Sequence, residues 1–276
     1  MNMKAKSMIC GGLVVCATLF ASNLYAQNGG AVGGNLRVTQ YSTAQEIVTG
    51  KNAAVHLGST KLRNASIGDD VTIDGYSRVK KVDAEKNASV KAAALMVSNT
   101  EVDGDLKAFM VGQTQDIKAD TNAQIRLGSA EIDNATFGKN LNLHTYGYVT
   151  NGITAGKNAL VSVAGLNAQD VQVDGGDANF YLRARTQEVE AEKDSRVTVS
   201  SAELSDVAFK KGVSIRTTSE MGKIKAEKGA KVTVASANLS KQTFDGAFSA
   251  SMTARIPGGI KAGKGAEVEI GSFTME

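Results

Sequence analysis

The stretch "AQDVQVDGGDAN", residues 168–179, sets Asp170, Asp174 and Asp177 around a Gly-Gly pair, with Arg183 and Arg185 a few residues on. Carboxylates gathered at a turn can hold calcium. A calcium ion beside a basic side chain is the equipment of a polysaccharide lyase, in which the cation acidifies a sugar proton and the base removes it. The spacing matches no defined calcium loop, however, and Asp and Gly are also what turns are made of. We read the cluster as turn chemistry and assign no metal site, although spacing alone leaves calcium binding by the three aspartates open. Asp69, Asp70 and Asp74 read the same way.

The other chemical candidates are few. His56 and His144 are the only histidines and lie 88 residues apart, too far to share a metal or a proton relay. His56 follows Val55 in the outward slot of an alternating segment and reads as a solvated side chain. Serines have no paired base, and the glycines form no phosphate-binding strand–loop–helix. No catalytic or cofactor-binding residue is assigned. Tyr41, Tyr76 and Tyr146 share one repeat slot, with Tyr148 nearby, and could form a sugar- or receptor-contacting stripe. Val111, Thr218 and Thr253 interrupt that slot, so interior or corner packing is the expected role. Asn87, in "EKNAS", fits a bacterial glycosylation pattern but also belongs to a recurring turn.

That turn is the dominant feature of the chain. An I/V-x-A opening, with Thr49 in place of Ala in the first unit, begins at Ile47, Val82, Ile117, Ile153, Val189, Ile224 and Ile260, at intervals of 35 or 36 residues. Repeats at a fixed step must be settled before any other fold assignment. Within each unit comes a position that tolerates positive φ: Asn52, Asn87, Asn122, Asn158, Asp194, Gly229 and Gly265. A small residue follows, and then the period switches to two, as in Val90-x-Ala92 and Val197-x-Val199, which is strand alternation. A second alternating segment, such as Val71-x-Ile73 or Leu141-x-Leu143, appears about 18 residues after the small residue.

Short strands, frequent turns and no helical stripe predict an all-β, single-domain parallel β-solenoid. With aromatics at only 5%, a narrow coil is easier to fill than a wide one. The expectation is therefore coils of about 18 residues paired into repeats of about 35.5. About thirteen such coils would make a rod of about 60 Å at about 4.8 Å per strand step. Equivalent positions would lie over one another, with Asn bonding to Asn at the turns.

Residues 1–26 read as an export signal: Lys4 and Lys6 are basic, Ile9 to Phe20 is apolar, and Ala26 suits the cleavage site. Val15 before Cys16 and Ile9 before Cys10 do not fit a lipoprotein signal. Both cysteines fall in this segment, so the exported chain would have no disulfide or thiol chemistry. A Gly-rich segment, 27–34, precedes the repeat array, 35–276. The 31 basic and 28 acidic residues are interspersed, unlike the concentrated charge of a nucleic-acid binder.

On this repeat geometry, from Asn35 to Glu276, the chain resembles secreted bacterial β-solenoid surface proteins, the class of adhesin stalks and matrix fibres. The resemblance implies a non-enzymatic structural or adhesive element at the cell surface or in an extracellular matrix. Its partners would be other copies through the terminal coils, or a surface protein or glycan. No functional residue is carried over, because no family-specific motif matches. The alternatives are a polysaccharide-active enzyme on the same scaffold and a passive subunit of a larger surface complex.

Overall fold

A computed structural model describes residues 31–276, and among them every regular element is a β-strand. Residues 1–26, which the sequence suggests as an export signal, lie outside the described residues. Strand pairing is parallel throughout, and each strand lies beside its own counterpart in the next repeat. Val71 pairs with Leu106, Leu106 with Leu141, and Leu141 with Ala178. The β-solenoid and its repeat of about 35 residues are thus as the sequence indicates.

Each coil has three walls. The long wall is a strand of 14 residues, as in Val71–Ala84 and Ala178–Ala191. A four-residue strand such as Ser89–Ala92 forms the short wall. An eight-residue strand such as Leu95–Val102 forms the third. Stacked, they give sheets of eight, seven and ten strands. The array reaches back to Ala31–Val32, which pairs with Ser66–Ile67.

One feature differs from the expectation. A coil takes the whole 35-residue repeat, so the residue over Ile47 is Val82, and the two 18-residue halves are opposite walls of one turn. Seven coils at about 4.8 Å per step make an array about 30 Å long, half the expected rod. Large residues are not needed to fill the wider coil, because it is pinched into two lobes. One core packs the start of the long strand against the third wall, through residues such as Ile73, Val97, Val102 and Phe137. The other packs its end against the short wall, through residues such as Val82, Val90, Ala92 and Ile125.

The pinch follows from small inward residues. The long strand places Ser77, Gly112, Gly147, Ala184 and Ser219 at its waist, all buried. Opposite, the chain bends from short to third wall at a residue of positive φ: Ala93, Gly128, Ala164, Ser200 or Ala235. A Cβ added to Gly147 would stand 2.3 Å from Val163 Cγ1, and one added to Gly128 would stand 2.1 Å from the Tyr146 carbonyl oxygen. Hydroxyls bond across the waist, Thr145 to the Ala164 carbonyl and Ser200 to the Thr218 carbonyl, each at 3.0 Å.

The corners are held by ladders running along the stack. Asn87 donates to Asn52 and Asn122 donates to Asn87, both at 3.0 Å. At another corner Asn99 donates to Asn64, and Asn134 to Asn99. These residues have φ between 47° and 59°, a conformation Asn tolerates better than most side chains.

Gly147→Leu should therefore force the waist open and lower stability in urea unfolding by about 3 kcal/mol or more. Gly265→Asn, at an open corner of the kind other coils fill with Asn, should change it by less than about 0.5 kcal/mol. Equal effects would refute the pinched coil.

Candidate functional site

The three aspartates of the acidic cluster serve as three separate structural parts. Asp170 is a corner residue with φ 52°. Asp174 pairs with Lys210 at 2.8 Å and accepts from Gln172 at 2.7 Å; these partners hold its carboxyl below the usual range. Asp177 belongs to a side-chain ladder, its Oδ1 accepting the Gly212 N–H at 3.0 Å while its own N–H donates to Asn140 Oδ1 at 2.9 Å. Asp105 and Asp70 serve the same ladder one and two coils below Asn140. Six to eight residues of extended chain separate Asp177 from Arg183 and Arg185, about 20 Å or more. Among the described residues no group of three or more His, Asp or Glu side chains is placed to hold a metal. Asn87 is a ladder rung, both donating and accepting.

The histidines lie three coils apart, about 14 Å along the axis, and on different sheets. His56 is half-buried rather than solvated. It opens a stacked column with Lys91, Arg126 and Ser162 along one flank. That flank is concave, because the bend between short and third walls folds it into a groove of about 170 Å³ beside Arg126, Glu131, Arg196 and Glu203. Arg126 and Glu131 form an ion pair there. Burial, then the charges of Lys91 and Lys61, push the His56 imidazole below its ordinary 6.5.

The tyrosines give the larger correction. Tyr41, Tyr76 and Tyr146 are neither interior nor at corners; they stand on the outer face of the long-strand sheet. Alternation requires it: Leu141, Leu143, Thr145 and Gly147 face inward, so His144, Tyr146 and Tyr148 face out. The same alternation, read across repeats, reveals two aromatics that the tyrosine slot alone does not: Phe109, which is 46% exposed, and Tyr181.

These rings form a continuous patch over three coils. Phe109 lies 5.1 Å from Tyr146, Tyr146 lies 5.6 Å from Tyr181, and His144 lies 5.8 Å from Tyr181, centroid to centroid. Tyr148 stacks beside Tyr146 at 6.5 Å. A second pair, Tyr41 and Tyr76 at 6.1 Å, continues toward the first coil, and the Tyr76 hydroxyl is fixed by Gln113 at 3.0 Å. Burial, then Tyr181 and Tyr148, push the Tyr146 hydroxyl pKa up, so it remains a neutral donor.

The same face is basic. Beyond the waist its outward positions mix Lys81, Lys118, Lys223 and Lys225 with Glu46, Asp83, Asp116, Glu188 and Glu190. From the start of each strand to the residue just past the waist, however, they carry Arg37, Arg78, Lys107, Arg183, Arg185, Arg216 and Arg255, against only Asp74 and Glu220 as acids. That is seven of the chain's 31 basic residues and two of its 28 acids. The Arg216 guanidinium lies 5.6 Å from the Tyr181 ring centre, a cation–π geometry. Such a face can stack on flat apolar surfaces and attract negative charge; no nucleophile–base pair is built into it.

The lowered His56 pKa fixes the sign of a pH effect. The unfolded chain takes up a proton near pH 6.5 while the folded chain resists it, so His56's contribution is complete above about pH 7 and declines as pH falls toward the lowered folded value. Unfolding measured from pH 7.5 to 5.5 should show this decline, and His56→Gln should flatten it.

No protein-family model matches the chain, and neither a curated protein nor a solved structure is significantly similar to it.

Proposed function

We propose that this chain is an exported, non-enzymatic β-solenoid that serves as a structural and adhesive element of a bacterial surface or extracellular matrix, and that it adheres through the outer face of its long-strand sheet. The observation that carries the reading is the patch of Phe109, His144, Tyr146, Tyr148 and Tyr181. Large rings on the outside of a sheet bury nothing within the fold and mark a surface suited to another molecule.

Other features support the reading. The sequence of residues 1–26 suits export. The aspartates that suggested lyase chemistry are occupied in corners, an ion pair and a backbone ladder. Hydrogen-bonded coils make a stiff spacer, which is what a stalk or fibre requires. In this reading copies of the chain also stack end to end, for which the last coil offers exposed Ile260, Phe273 and Met275.

Fractionation of expressing cells should place the protein at the surface or in the matrix. Tyr146→Ala with Tyr181→Ala should reduce its attachment there at least tenfold without loss of the folded state, since both side chains project outward. Cytoplasmic recovery, or attachment indifferent to the pair, would refute the proposal.

A further inference from the structure

We propose that the outer face of the long-strand sheet binds an anionic polysaccharide, one with carboxylates along its chain, laid parallel to the solenoid axis. The inference rests on the adhesive reading above and names its ligand class.

A pyranose ring has apolar C–H faces and a polar rim, so it is recognised by flat aromatic rings below and by charged or hydrogen-bonding groups beside it. The face supplies the first in steps. Phe109, His144 and Tyr181 lie over one another in successive coils, with ring centres 6.3 and 5.8 Å apart for a spacing of about 4.8 Å between coils. Tyr146 flanks this column at 5.1 Å from Phe109 and 5.6 Å from Tyr181. A single sugar residue is of similar length, so a glycan running along the axis meets a fresh ring at each coil.

The second requirement is met by arginine. Arg183 pairs in register with Tyr146, and Arg216 with Tyr181, so a guanidinium continues each aromatic column into the next coil. Neither arginine forms an ion pair with a carboxylate among the described residues, whereas Arg126 and Arg185 do. Arg216 is instead exposed and lies over the Tyr181 ring. Guanidinium binds carboxylate through two parallel hydrogen bonds. The excess of bases over acids on this face complements a polyanion, and would draw one in from solution.

A single-stranded nucleic acid also combines bases that stack with negative charge, but it is held by rings that receive one base each. Here the rings are packed against one another, with Tyr146 in contact range of Phe109, Tyr148 and Tyr181. They form a continuous platform, which suits a ribbon-like chain.

The test uses the exported protein with four probes: polygalacturonate, its methyl ester, dextran and single-stranded DNA. We expect polygalacturonate to bind best. Methyl esterification should weaken binding at least tenfold, as should either Arg183→Gln with Arg216→Gln or Tyr146→Ala with Tyr181→Ala, while the unfolding midpoint is retained. Binding should also fall as salt rises well above about 0.15 M. Equal binding of acid and ester, preference for dextran or DNA, or binding untouched by the arginine pair would overturn the inference. If the protein attaches to cells or matrix yet binds no polygalacturonate, the ligand class is wrong and the adhesive reading stands. If it attaches to neither, both fall.

Discussion

In-register stacking of parallel strands is the constraint on which the rest of the structure depends. Backbone N–H and C=O groups of one coil are satisfied by the coils above and below, as in Leu95 to Ser129, Ala130 to Gly165 and Leu166 to Ser201. Each pairing fixes which residue lies over which, so a position is a column through the whole array. An inward column must fit one layer thickness everywhere, and a corner column must accept positive φ everywhere. This explains why Asn, Asp or Gly recurs at one corner and Ser, Gly or Ala at the waist.

The waist is what allows a chain poor in aromatic residues to build so wide a turn. Two lobes are each filled by Val, Ile, Leu and Ala, and between them the walls touch almost backbone to backbone at Gly112, Gly128 and Gly147. Pinching has an outer consequence as well. It leaves a polar groove on one side, lined by Arg126 and Glu131. On the other the long strand spans both lobes, with a register irregularity between Val149 and Gly152, and presents the broadest sheet face of the coil. The adhesive face we propose is that long-strand side, so its existence follows from the packing of the interior.

Much of this was legible in the sequence. The fold class, the repeat and the Asn corner ladder follow from spacing and residue type. The size of the coil did not, because two alternating segments 18 residues apart look alike whether they lie over one another or face each other across a core. The signal that separates them is the second set of corners. Asn64, Asn99, Asn134, Asp170 and Asp206 recur only at the full repeat, each with positive φ, and so do Ala93, Gly128 and Ala164. A column that recurs once per 35 residues cannot belong to an 18-residue turn. The aromatic face was half legible: the tyrosine slot was visible, but its outward direction required the alternation of Leu141, Leu143 and Thr145 to be carried through to Gly147. The joining of Phe109, His144 and Tyr181 to it required the correct register between coils.

The register itself can be measured most directly with a pair of spin labels at Ser214 and Ser249, which are exposed and pair in adjacent coils. Described residues contain no cysteine, so in a chain of residues 31–276 labels can be placed cleanly. Backbones one coil apart, at about 5 Å, should give strongly exchange-broadened spectra. Spectra showing the labels two steps apart, at about 10 Å, would mean that 18 residues complete a turn, and would contradict the pinched coil and the face built upon it.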